Sequence, residues 1–281
     1  MPLAAQYIPA AYSLTAVGVW GASDFLGGFG ARRANAFLFT AIVHVSGMVF
    51  VGAIAVITRA AFPGIVSFGW SLLAGALGGL SLVFFYRALA RGNMGLIAPV
   101  AAVLSAAIPT LVTAFAEGVP GTRHVVGFIL AGIGVWLISR NEAGAGRPEG
   151  IGVAVLAGSG FAGFYLCTHQ AGQSSAVWVA TCSRLASFVI TGGIVLFGRH
   201  LRPVPGPVAG IALAAGILDI SGSVAFIRAE QLGRLDAAVV LSSLYPVVTV
   251  LLARLFLHEH FSRGRTIGMV AALAAVPMIA G

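Results

Sequence analysis

Four ionisable side chains, Asp24, His44, Arg184 and Asp219, stand inside long apolar stretches of the chain. A charged group near the centre of a bilayer costs about 2.5–3.5 kcal/mol on insertion scales, so by default each faces a bundle interior or a wet cavity. The types suit binding of a small charged solute or a proton: a carboxylate can hold either, an Arg fork grips a carboxylate, and an imidazole can relay protons.

Asp24 lies in VWGASDFLGG, where Gly21, Gly27 and Gly28 remove side-chain bulk and Ser23 adds a hydroxyl. Glycines at that density permit close helix approach or local unwinding. A carboxylate there lets a proton and a solute compete for one site, which proton antiport requires. Against this stands a structural role, with Asp24 paired to Arg184 or capping broken backbone. If Asp219 takes Arg184 instead, Asp24 is left as the titrating group. His44, with Ser46 close by, reads more readily as hydrogen-bonded packing than as a relay. Arg184 is open between holding a solute carboxylate and holding the bundle together.

Trp20, Tyr86, Tyr165, Trp178 and Tyr245 could offer ring faces to an aromatic or cationic solute, Trp20 and Tyr245 first. Trp178, near the start of its segment, also fits an interfacial belt. Glu117 and Glu259 sit at segment ends, where helix-end pairing is expected.

Other chemistries lack their residues. His258 and His260 flank Glu259 without the spacing of HExxH, no GxxxxGK[ST] loop is present, and no Ser/His/Asp set stands out. Only Asp24 and Asp219 are read as carboxylates deep within spans. Cys167 and Cys182 both lie in apolar segments and indicate buried packing. No enzyme, metal or cofactor is expected; the expected partners are a small solute, protons as a coupling ion, and the lipid bilayer.

These residues need a membrane scaffold. Of 281 residues 59% are hydrophobic and 9% charged, with a mean hydropathy of +1.00, against about 25% charged in ordinary soluble domains. The sixteen basic residues are all Arg and give a net charge of +8, but they are scattered between apolar segments without aromatic interleaving. Nucleic acid is therefore not an expected partner. The hydrocarbon core, about 30 Å thick, needs about 20 apolar residues of helix to cross it. Ten segments qualify, near 8–30, 36–57, 66–89, 93–116, 121–139, 150–170, 175–198, 207–230, 235–256 and 264–281. The gaps carry Arg, Pro and Gly, and the longest is Arg140 to Gly150 at mid-chain.

A shift of 141 residues lays Gly75 on Gly216, Phe85 on Phe226, Arg87 and Ala88 on Arg228 and Ala229, Gly92 on Gly233, and Gly127 on Gly268. The chain is thus expected to be one all-α transmembrane transporter domain over 1–281, with ten helices as two five-helix repeats, 1–140 and 150–281. Five spans per half invert the second half in the membrane, which is the symmetry of alternating-access carriers. Gly75 and Gly79, four apart, suit a helix-packing groove, with Gly18 and Ala22 a looser case. Loop arginines number eleven in odd-numbered loops and four in even-numbered ones, which places both termini outside by the positive-inside rule. Monomer and homodimer both stay open.

Several motifs resemble the EamA family of the drug/metabolite transporter superfamily. They are Trp20-Gly21 in the first span, Tyr86 to Ala90 (YRALA) followed by Gly92 at the end of the third, and Arg184 in the seventh. Pro246, Glu259 and Gly268 follow in the second half. The first half departs from the pattern, with Leu104 where a proline is expected before Glu117, and Pro99 and Pro109 nearby. The resemblance implies a multi-pass plasma-membrane carrier, often an exporter of metabolites, amino acids or drugs. It implies cytoplasmic termini, opposite to the loop count. It also implies that a first-span carboxylate can couple transport to protons, as in small multidrug pumps of the superfamily.

Overall fold

The computed structural model describes residues 7–91, 94–118, 120–139, 151–201, 203–257 and 263–280, and the regular structure among them is entirely helical. In the first half run α1 (Ile8–Ala31), α2 (Ala36–Ile57), α3 (Ile65–Arg91), α4 (Met94–Glu117) and α5 (Thr122–Ser139). The second half holds α6 (Ile151–Gln170), α7 (Ala176–Phe197), α8 (Gly206–Leu232), α9 (Leu235–Ser242), α10 (Tyr245–Leu257) and α11 (Arg263–Ala280). Helix ends fall within a residue or two of those read from the apolar segments, but the ninth segment is two helices. Pro246 brings no amide hydrogen, and its ring crowds the carbonyl of Ser242. The chain turns there through short bonds, Leu244 N to Leu241 O at 3.2 Å and Val247 N to Leu244 O at 3.0 Å.

Among the described residues six stretches are long and apolar enough to cross a membrane: 36–57, 65–90, 152–170, 176–197, 206–232 and, through the break, 235–256. Two shorter apolar helices, 100–116 and 122–134, accompany them. The first helix falls outside this set because Ser13, Ser23 and Asp24, all turned inward, lower its hydropathy.

Local chemistry sets the ends. The Asn35 side chain accepts from the amides of Phe37 and Leu38 and so caps α2. Gly118 (φ 90°) and Gly172 (φ 69°) take the left-handed backbone after α4 and α6 that other residues resist. Arg59 and Arg199, at φ 50° and 52°, end α2 and α7 in the same way. Ala60 N donates to Ala55 O and His200 N to Val195 O, the six-to-one bond of a Schellman turn in both places.

The helices pack in matched pairs. α1 lies along α8, as α6 lies along α3; α3 also packs on α7, as α8 does on α2. α4 rests on α6, as α9 and α10 rest on α1, and the pairs α2–α7 and α5–α11 complete the bundle. Small residues make these approaches possible. A Cβ on Gly75 would strike the backbone of Ser183, and one on Gly216 the backbone carbonyl of Val43. Gly79 lies equally close to Ser187, whose hydroxyl donates to Gly75 O at 2.8 Å. The expected Gly75/Gly79 groove is therefore present, while Gly18 faces open space and makes none.

Candidate functional site

α1 and α8 meet through α1's polar face. Gly21 lets α1 come within Cβ-clash range of the Tyr245 carbonyl, 2.6 Å from where a Cβ would stand, and Gly27 gives room to the Tyr86 ring. Trp20 packs on Gly222, and its indole N–H donates to Asp219 O at 3.0 Å. Asp24, one turn on, is 6% exposed, as are Arg184 on α7 and Asp219 on α8.

Arg184 is the hub. Its Nη2 forms an ion pair with Asp219 Oδ2 and donates to Ser223 Oγ at 3.1 Å. Its Nη1 lies 3.2 Å from His44 Nδ1. A guanidinium only donates, so Nδ1 accepts and the imidazole is the neutral tautomer with its hydrogen on Nε2. Asp24 makes no hydrogen bond or ion pair among the described residues. Of the two pairings open from sequence, Arg184 is thus taken by Asp219, and the Asp24–Arg184 pair is not formed.

Trp20, Asp24, Arg184, Asp219 and Tyr245 line one cavity, together with Ser183, Ser187 and Ser223. Gly78 and Leu82 of α3 and Phe161, Phe164 and Tyr165 of α6 close it. Its volume is about 50 Å³. Ligand pockets run from about 300 to 1,000 Å³ with mostly apolar walls and a few placed polar groups. This one is narrow in the present conformation and joins aromatic faces to a carboxylate without a cation.

Residues 148–281 match the model of the EamA-like transporter family. The second half of the chain is thus similar to that family. EamA-like proteins are part of the drug/metabolite transporter superfamily, and the match together with the apolar helices makes this a multi-pass membrane protein. A solved crystal structure resembles it over 96% of this chain and 95% of its own, at a TM-score of 0.74 and 21% identity, which shows a shared fold. No curated protein matches the chain.

Three of the expected site residues, Ser23, Tyr86 and His44, do not line the cavity but support it. Ser23 donates to Ala215 O at 2.9 Å and lies 3.1 Å from the Tyr86 hydroxyl, tying α1 to α8 and α3. His44 sits behind Arg184. Trp178 lies apart, its indole N–H donating to Ala60 O and its ring edge-on to Phe62, as an interfacial residue does. Cys167 and Cys182 are buried and unbonded. Glu259, His258, His260 and the 140–150 linker fall outside the described residues.

Sequence reading missed Phe161, Phe164 and the serines. One signal was available: Phe161 and Tyr165 stand 141 residues after Trp20 and Asp24, and Asp219 and Ser223 stand 141 after Gly78 and Leu82. The carboxylate count also needs correction. Glu230 of α8 and Asp236 of α9, 4% and 1% exposed, are two further buried carboxylates inside spans.

Proposed function

We propose that this protein is a secondary carrier that moves a small organic solute across the plasma membrane, with Asp24 exchanging a proton against the solute. The single observation that carries the reading is Asp24 in a largely apolar cavity, without a cation of its own, while Arg184 of the same wall is neutralised by Asp219. A buried ion pair can be architecture; an additional carboxylate without a partner calls for a ligand. The walls suit a solute with a positively charged or amine group for Asp24 and an apolar or aromatic body for Trp20, Phe164 and Tyr165.

Ten spans in two inverted five-helix repeats, 1–140 and 150–281, fit this role. The matched helix pairs support that arrangement, as do the twin turns at Arg59 and Arg199 and the twin packing of Gly75 and Gly216. Cavity walls that include corresponding positions, Trp20 with Phe161 and Asp24 with Tyr165, support a cavity between the halves. There a rocking of one half against the other exposes it to either side. Export is the direction that the family resemblance favours.

The test begins with a thermal-shift screen of amines and amino acids at two pH values, since a ligand of the folded state raises its apparent stability. Hits then go to uptake measurements in proteoliposomes with an imposed pH gradient. Transport that follows the gradient in the wild type and loses that dependence in Asp24→Asn is expected. Gradient-driven transport that persists in Asp24→Asn would overturn the coupling role, and a protein that moves none of its binders would overturn the carrier.

A further inference from the structure

Glu230 does not line the central cavity. It stands eleven residues after Asp219 on α8, three turns along the same face and roughly 16 Å away at 1.5 Å per residue. Between the two levels lies a packed aromatic cluster. Tyr165 and Phe226 have ring centroids 4.5 Å apart, and Trp20 is 5.7 Å from Phe226 and 6.0 Å from Tyr165. The cluster closes the cavity toward the α6–α7 turn, and Glu230 is on its far side.

Neither carboxylate oxygen of Glu230 has a hydrogen-bond partner among the described residues, although the side chain is 2% exposed. The Thr168 hydroxyl lies beside it but donates to Tyr165 O at 2.9 Å. His169, the next residue of α6, places Nδ1 3.9 Å from Glu230 Oε2, and its own side chain is 36% exposed. That gap is longer than a hydrogen bond and short enough for one water or a small rotation to bridge. The charged neighbours on α8 and α9 are engaged elsewhere: Arg228 donates to Gln231 Oε1, and Arg234 pairs with Asp236. From α6, Tyr165, Thr168 and His169 face the site.

We infer that Glu230 and His169 form a second proton-binding site, separate from Asp24, loaded from water at the α6–α7 end of the bundle. A proton on His169 Nδ1 passes to Glu230 Oε2; the imidazole returns to its neutral form and the carboxylate becomes a carboxylic acid. No bond other than those to the moving proton changes. The turn that follows His169 is held in place: Gln231 Nε2 donates to Gly172 O at 2.9 Å and Ser174 O at 2.7 Å, which fixes the end of α6 against the end of α8. Coupling this site to transport rests on the carrier reading above, but proton binding itself is tested without any solute.

The test is infrared difference spectroscopy of the purified protein in lipid during a pH titration, read in the carboxylic-acid C=O stretching region. Glu230→Gln is expected to delete one titrating band, and Asp24→Asn to leave that band in place. His169→Asn, at a half-exposed site, is expected to keep the band and move its midpoint or slow its appearance after a pH jump. A spectrum unchanged by Glu230→Gln would overturn the site. A band lost in Glu230→Gln but identical in midpoint and rate in His169→Asn would overturn the loading route. Because Asp24→Asn is read in the same experiment, failure of the central carboxylate and failure of Glu230 give different spectra.

Discussion

Arg184 and Asp219 form an ion pair between α7 and α8, with both side chains almost wholly buried. Removing one partner of such a pair strands a charge and typically costs about 3–5 kcal/mol, whereas replacing both with apolar groups is often close to neutral. Asp219→Asn and Arg184→Met should each therefore lower stability steeply, by an amount of that order. The double variant Arg184→Met with Asp219→Leu should recover most of the loss. Denaturant or thermal unfolding in detergent checks this, and a double variant as unstable as the sum of the singles would count against the pair.

His44 accepts from the same guanidinium and stands outside the cavity lining. His44→Gln, which keeps an acceptor, should be tolerated. His44→Phe should cost about 1–3 kcal/mol by leaving a buried donor unsatisfied. Since the imidazole acts as a neutral acceptor, the pH dependence of transport should be the same in His44→Gln as in the wild type. A shifted pH profile in that variant would restore the relay role that geometry does not support.

Much of the fold was legible because bilayer thickness demands long apolar runs, and charge, Pro and Gly mark where they stop. The break after Ser242 was not: hydropathy averages over the 235–256 window and does not register a backbone kink. Of the cavity walls, the charged residues and the rings of Trp20, Tyr165 and Tyr245 were legible. Asp24, Arg184 and Asp219 carry a cost that sequence displays, while Phe161 and Phe164 look like any lipid-facing Phe until α6 is placed against α3. The choice between Asp24 and Asp219 as the partner of Arg184 depends on α7–α8 geometry, which no spacing rule encodes. Glu230 ends the eighth apolar segment, and no spacing in the sequence shows that α6 covers it.

Gly75 and Gly216 offer a sharp check on the packing. A methyl group at either position meets the backbone of a neighbouring helix, which cannot rotate away as a side chain can. Overpacking costs about 1–3 kcal/mol, occasionally more. Gly75→Ala and Gly216→Ala should both reduce the yield of monodisperse protein and lower its melting temperature. Gly69→Ala, where nothing lies within 4 Å, should raise helix stability by up to about 1 kcal/mol. Equal behaviour of all three variants would show that the close crossings are not formed.

The break between α9 and α10 puts Tyr245 into the cavity wall at the first residue of α10, and its hydroxyl lies 3.4 Å from Ala98 O of α4. Pro246 imposes that break, so Pro246→Ala should allow the ladder from Ser242 to re-form and α9 and α10 to run as one helix. A continuous helix gains a backbone hydrogen bond, and the variant should melt at a higher temperature. It should also rotate Tyr245 relative to α1, because a turn of two residues no longer separates the two segments. Solute transport should then fall while stability rises. Amide hydrogen exchange at Ser243 to Val247 reports the first change and proteoliposome uptake the second; faster exchange there, or full transport with a straightened helix, would contradict the role given to the break.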